Sequence, residues 1–366
     1  MLTHCKKTST MITHALLKLV IIFCLVLPIE LSAQKTTSFF EADHPLIQYT
    51  GRIDFSNPKK PKFWQPGVYI QAKFKGTFCE IVVNDEVLWG NSHNYITIVI
   101  DNGIPIRLKV KSHSNTIMAA QGLHEGEHTI TICKGTESGI GYLEFVGLKC
   151  DALLPSTKPQ RKLEFIGNSI TCGMGADLSE VPCDSAQWYD QHNAYQSYGP
   201  TVARALNAQW HLSSVSGIGM IRSCCDMDIT MPGVFDKINM RENKMAWDFK
   251  QYQPDAVTIM LGQNDGKQDS VAFCSVYVNF ISSVRKQYPK AHIVCLTSPM
   301  ANDTLRAMMK NYLNGIVQHV NKRDKKVNKF FFSRSWNNGC GEHPDLNDHQ
   351  LIAAELEGYL KTLLKW

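Results

Sequence analysis

Beyond residue 33 the sequence has no apolar run long enough to cross a bilayer, so no membrane span is expected there. It has no concentrated stripe of lysine and arginine either. The two basic runs, KKPK at 59–62 and KRDKK at 322–326, read as solvated loops. A net charge of +5, part of it near the N-terminus, therefore does not call for a nucleic-acid partner. Cysteine is not scarce, with twelve in the chain, but metal-site spacing is missing. The only close pair, Cys224-Cys225, is vicinal, so neither a metal nor another cofactor is expected. Helical patterning is absent from about residue 44 to 150, which excludes an α/β organisation for that third of the chain.

The N-terminus carries what the rest lacks. Lys6, Lys7 and Lys18 precede the apolar run LVIIFCLVLPIEL, and Leu31-Ser32-Ala33 follow as small residues suited to cleavage before Gln34. Residues 1–33 thus read as a secretory signal peptide, with Met11 an alternative start. The expectation is a secreted or periplasmic protein without a lipid anchor, since Cys24 lies inside the apolar run. Ten cysteines remain after that cleavage, and an exported protein can pair them. Cys172 and Cys183 bracket a loop and are candidates for a bridge or for burial as free thiols.

Residues 34–153 read as one domain, and from about 44 to 150 they alternate with period two. GVYIQAKFKG, CEIVVND, NYITIVIDN, IPIRLKVK, EHTITICKG and GYLEFVGLKC each read as a strand bounded by turn residues, and VVND and IVIDN end in hairpin-type chemistry. The pattern predicts an all-β sandwich of jelly-roll type. DALLPSTKPQRK, with 154–161 at its centre, reads as a linker. From 162 to 366 the rhythm changes: strands KLEFIG, WHLSSVSG, AVTIMLG, HIVCLTSP and NKFFFS alternate with helices at about 196–207, 270–288, 303–323 and 348–364. That alternation predicts a three-layer α/β/α domain on a five-stranded parallel sheet.

Ligands of such sheets bind at the carboxyl ends of the strands. Gly167-Asn168-Ser169 follows the first strand, Ser216-Gly217 the second, Gly262-Gln263-Asn264-Asp265 the third, and Glu342-His343-Pro344 comes after the fifth. A serine, a glycine, an asparagine and a histidine at four ends of one sheet are the parts of a serine hydrolase. Serine attacks a carbonyl carbon, histidine moves the proton, and a glycine N–H with an asparagine amide can hold the oxyanion. Asp265 reads as a turn cap. His349, one turn into the last helix, competes with His343 for the role of base.

GNSIT resembles the nucleophile block of the SGNH (GDSL-type) hydrolases, with Asn168 where aspartate is commoner. LGQND resembles the block of the oxyanion asparagine, and HP that of the base. GRIDFSNPKKPKFWQPGVYIQAKFKGT and NAYQSYGPTVARALNA are similar to the jelly roll and first long helix of carbohydrate esterase family two. The resemblance implies removal of O-acetyl groups from plant polysaccharides or oligosaccharides of the acetylxylan and glucomannan kind, leaning towards the 6-hydroxyl. It implies Ser169 as nucleophile, His343 as base, and the Ser169 N–H, Gly217 and Asn264 as the oxyanion hole, without a metal. Another acyl ester (sialate or peptidoglycan) and a weakly catalytic carbohydrate-binding protein are the alternatives.

One residue departs from the pattern. Cys340 stands three before His343, where most SGNH enzymes carry an aspartate. The resemblance implies a Ser–His dyad oriented by a main-chain carbonyl, which the 337–340 loop is placed to supply. Asp345 and Asp348 read as cap residues of the last helix. Trp336 and Trp247 are the candidate sugar-stacking residues, with Trp188 and Tyr189 beside them. A monomer is expected.

Overall fold

The period-two segments form strands, and so do five pieces whose alternation is too short or too polar to read. The computed structural model describes residues 37–366; the proposed signal peptide lies outside them. In chain order the strands are β1 (Ser38–Glu41), β2 (Gln48–Thr50), β3 (Lys62–Phe63), β4 (Tyr69–Lys75), β5 (Cys79–Asp85), β6 (Tyr95–Ile100), β7 (Ile106–Lys109), β8 (Ser114–Ala120), β9 (Glu127–Lys134), β10 (Leu143–Cys150) and β11 (Ala152–Leu154). One antiparallel sheet has the order β1-β10-β5-β8, with β3 also on β10; the other runs β11-β4-β9-β6-β7, with β2 also on β4. Inward residues such as Phe74, Ile81, Phe145 and Leu148 are fully buried between them.

Two expectations change here. The linker begins as structure, because Ala152–Leu154 pairs with β4 as an edge strand. VVND does not turn into the next strand. The buried Asp85 carboxylate instead accepts from the Asn94 backbone N–H and side-chain amide at 3.1 and 2.7 Å. IVIDN does form a hairpin, joining β6 to β7 through Asp101 and Asn102 at φ +51 and +56.

The second half follows the predicted alternation. β12 (Arg161–Gly167), α1 (Ser169–Cys172), α2 (Tyr198–Ala205), β13 (Ala208–Ser214), α3 (Met231–Val234), a small hairpin of β14 (Lys237–Asn239) and β15 (Lys244–Ala246), β16 (Ala256–Ile259), α4 (Ser270–Gln287), β17 (His292–Leu296), α5 (Asp303–Val320), β18 (Val327–Phe330) and α6 (Leu346–Leu364) appear in turn. The sheet is parallel, in the order β13-β12-β16-β17-β18. β13 and β16 are buried along their whole lengths, as a sheet covered on both faces requires. Phe165, with residues of α2 and α6, packs on one face; Ile166, with residues of α4 and α5, packs on the other. Strand order reverses between β12 and β16, and a crevice opens at their carboxyl ends. Among the described residues no helix is long and apolar enough to cross a membrane.

The two halves share buried polar and aromatic contacts. Arg52, beside β2, donates to the Lys237 carbonyl at 2.7 Å and to Glu164 of β12 at 3.4 Å, with both side chains fully buried. Trp210 of β13 stacks on Tyr69 of β4 at 3.9 Å and donates its indole N–H to the Gly67 carbonyl. The attraction within a buried ion pair of this kind is largely offset by the cost of desolvating both charges.

Candidate active site

β12 ends at Gly167, and the chain turns at once into α1. A side chain at Gly167 would collide with Thr171 Oγ1 at 2.0 Å, so only glycine permits so tight a strand-to-helix corner. Asn168 caps the short helix, its side chain accepting from the Ile170 N–H at 3.2 Å. Asparagine thus serves here in place of the commoner aspartate. Ser169 is the first helical residue, so its N–H has no intrahelical acceptor. Its side chain opens into a cavity of about 500 Å³.

Gly217 lies on the loop after β13, at φ +82, with its Cα against Cys224 Sγ and Met227; an added Cβ would meet either at 2.8 Å. Asp265 organises that loop. Its buried carboxylate accepts from the N–H groups of Met220, Ile221 and Arg222 at 2.7–3.0 Å. The cap read from the sequence is therefore a clamp between the β16 and β13 loops. Asn264 lines the same cavity, and its amide donates one N–H to the Ile218 carbonyl at 2.9 Å, which leaves the other for a ligand.

His343 completes the cluster. Its Nε2 is 2.8 Å from Ser169 Oγ and its Nδ1 is 2.8 Å from the Gly341 carbonyl. Nδ1–H donates to that carbonyl, which leaves Nε2 to accept the serine proton. The orienting carbonyl thus comes from the residue after the 337–340 loop. Burial holds the His343 pKa below the ordinary imidazole value. Asp345 and Asp348 form a capping box at the start of α6, and Asp348 also accepts from the Asn338 N–H at 2.9 Å; neither bonds to His343. His349 is fully buried, accepts from the Tyr198 N–H, and is held neutral with its pKa pushed down to about 3. It is a packing residue.

Neither Trp336 nor Trp247 lines this cavity. Trp336 is buried against Phe332, and Trp247 is buried beside Arg52 at the junction of the two halves. Trp336 has a favourable place in the chain, in the loop leading to His343, but apolar packing claims both rings. The aromatic rims are Trp188, 47% exposed, and Trp89, 79% exposed. Trp89 sits at φ +55 in the tight turn after β5, a strained address for a large side chain. An exposed tryptophan before a Gly-Asn turn was the available signal.

Glu137 was also missed, since an acid in the loop KGTESGIG carries no local mark. The loop follows β9, and the buried Lys134 ammonium, its pKa pushed down to about 7 by burial, donates to the Thr136 and Glu137 carbonyls at 2.8 and 3.1 Å. Glu137 reaches across to the other half and accepts from the Ser216 N–H at 2.7 Å, next to Gly217. The sandwich therefore supplies part of the wall: Trp89, Glu137 and Gly139.

Cysteine pairing differs from the local bridge considered above. Cys172 is a buried free thiol, and Cys183 pairs with Cys340, 157 residues away. Cys224 pairs with Cys225 at the cavity wall. Among the described residues there is no cluster of His, Cys, Asp and Glu that could hold a metal ion.

Residues 49–156 match the family described as carbohydrate esterase 2 N-terminal, and residues 165–333 the GDSL-like lipase/acylhydrolase family. The cellulase/esterase CelE of Acetivibrio thermocellus is 33% identical over 338 residues, which cover 89% of this chain. The chain spans 40% of that relative's length. An acetylxylan esterase / glucomannan deacetylase of Cellvibrio japonicus is 27% identical, covering 92% of this chain and 94% of that one. A solved family two carbohydrate esterase from Clostridium thermocellum, in complex with cellohexaose, superimposes with a TM-score of 0.80 at 31% identity, covering 87% of this chain and 99% of that one.

Proposed function

Since the chain belongs to carbohydrate esterase family two, we propose that it removes acetyl groups from plant polysaccharides or oligosaccharides of the acetylxylan and glucomannan kind. The observation that carries the reading is the 2.8 Å contact between Ser169 Oγ and His343 Nε2, made in a cavity that Gly217 and Asn264 also line. Ser169 Oγ attacks the acetyl carbonyl carbon while His343 Nε2 takes its proton. The oxyanion sits among the Ser169 N–H, the Gly217 N–H and the free N–H of Asn264. Collapse expels the sugar hydroxyl, protonated by His343, and leaves an acetyl-enzyme. Water, activated by the same imidazole, then releases acetate.

Trp188 and Trp89 take the stacking role at the rim, where the C–H faces of a sugar meet aromatic surface. Preference for the 6-hydroxyl and action as a monomer belong to the same reading. Export does too: two disulfides suit an oxidising compartment.

The test is acetate release from acetylated xylan and acetylated glucomannan, with positional analysis of the residual esters. Ser169→Ala should lower turnover by about 10⁴-fold or more. Retained turnover would reject the serine mechanism. Preferential release from sialate or peptidoglycan esters would redirect the substrate.

A further inference from the structure

The acid that usually orients the histidine is replaced by a main-chain carbonyl, and a carbonyl can orient an imidazole only if its own turn is held. That turn, Cys340–Glu342, is poorly equipped to hold itself. Gly341 and Glu342 are both exposed and both left-handed, at φ +59 and +57. A glutamate adopts that conformation only when its surroundings impose it. The backbone ties nearby are few: Cys340 N–H to the Gly175 carbonyl at 2.9 Å, Gly339 N–H to the His343 carbonyl at 2.7 Å, and His343 N–H to the Cys340 carbonyl at 3.3 Å.

A further tie is covalent. Cys340 is bonded to Cys183, with the two Cα atoms 5.3 Å apart. The Cys183 end is anchored in turn. The buried Gln191 amide donates to the carbonyls of Val181 and Pro182 at 3.3 and 3.0 Å. Arg107 of β7 donates to the His192 carbonyl at 2.9 Å, and Tyr95 of β6 to Asp190 at 2.8 Å. The bridge thus joins an exposed turn to a segment that the β-sandwich itself holds.

We propose that the Cys183–Cys340 disulfide is the positioning element for His343, fixing the Gly341 carbonyl at the place where most SGNH enzymes carry a carboxylate. This rests on the esterase reading above. The cystine touches no substrate; it acts through the turn. Its loss lets Gly341 leave the compact left-handed turn, and the imidazole loses its fixed tautomer and direction.

Cys183→Ala, assayed with 4-nitrophenyl acetate and acetylated xylan well below its unfolding temperature, should lose roughly 10- to 100-fold in kcat. KM should change by less than about twofold on this argument, and the acidic limb of kcat/KM should move up towards the value of a free imidazole. A second arm uses the folded wild-type protein and a phosphine reductant. Each bridge takes two electrons and two protons to give two thiols, and the phosphine leaves as its oxide with oxygen from water. Timed alkylation and mass mapping then show which bridge opens as the rate falls. Loss in step with labelling of Cys183 and Cys340, recovered on reoxidation, supports the proposal. Loss in step with Cys224 and Cys225 instead overturns it. So does a Cys183→Ala variant with wild-type kcat and an unmoved acidic limb while Ser169→Ala is dead. Turnover retained by Ser169→Ala would reject the underlying reading, a separable result.

Discussion

The corners that hold Ser169, the proposed nucleophile, and His343, the proposed base, meet within 2.8 Å, yet they are built in opposite ways. Ser169, Gly217 and Asn264 follow the ends of β12, β13 and β16, three neighbouring buried strands of a parallel sheet in which β13 is the edge. Their support is redundant: a helix cap from Asn168, a three-fold carboxylate clamp from Asp265, and Glu137 reaching over from the sandwich. His343 stands on an exposed turn, held by three main-chain hydrogen bonds, one disulfide and the start of α6. One corner is fixed by packing and the other by tethers. A hydrolytic pair does not require both partners to be buried in the same way. It requires each to be held in register with the other.

The largest effect on this contrast falls on the sheet-built corner. Asn264→Ala should cost roughly 10²–10³ in kcat if its free N–H meets the oxyanion, with KM little changed. Steady-state kinetics on 4-nitrophenyl acetate decide it, and an unchanged kcat would remove the oxyanion role. Asp265→Asn comes next. The amide keeps the shape but offers one acceptor oxygen where Met220, Ile221 and Arg222 now share two. A loss of about tenfold in kcat is expected from a slackened loop, with a lowered thermal midpoint, since a charged acceptor of buried N–H groups is stronger than a neutral one. If both corners were held by tethers alone, this substitution would change stability without touching kcat.

The same contrast decides what could be read in advance. β12 and β13 are short buried runs that stop at Gly167 and Ser214, and the apolar run of β16 continues to Leu261 before Gly262, so their ends, and with them Ser169, Gly217 and Asn264, are visible as local pattern. The histidine itself was legible as His-Pro before an amphipathic helix. What holds it was not. The partner of Cys340 lies 157 residues away, and disulfide connectivity leaves no local trace. Tryptophans were misplaced for a related reason. Trp336 lies in the loop leading to His343, but whether its ring or that of Trp247 turns into a core or a cavity is set by tertiary packing. Strands such as Ser114–Ala120 and Ala152–Leu154 were missed because edge strands are short or half polar, and only their partners define them.

A smaller effect tests whether the base corner has recruited an acid. Asp345→Asn and Asp348→Asn should each leave kcat within about threefold, because their carboxylates serve α6 and the Asn338 backbone. Asp345→Asn should leave stability nearly unchanged, since asparagine caps a helix as well as aspartate, whereas Asp348→Asn should lose about 1 kcal/mol because both of its oxygens accept from Asn338. Denaturant titration and kinetics on the same preparations separate the two readouts. A hundredfold loss of kcat in either variant would make that aspartate part of a triad.

The smallest effect is read from the wild-type protein alone, and it follows from the sign of one pKa shift. His343 must be neutral to accept the serine proton, so activity falls as pH drops through its pKa. A neighbouring carboxylate would raise that pKa by favouring the imidazolium. Here the Gly341 carbonyl supplies a weaker upward pull, and desolvation, the larger effect, lowers the value below 6.5. At pH 6.5 the free enzyme therefore holds more than half of its His343 in the active form, and kcat/KM should stay above half of its plateau. The midpoint of the acidic limb should lie below 6.5, at constant ionic strength and with folding checked at each pH. A midpoint above 7 would mean that negative charge reaches the imidazole. The tethered corner would then be an acid-supported one after all.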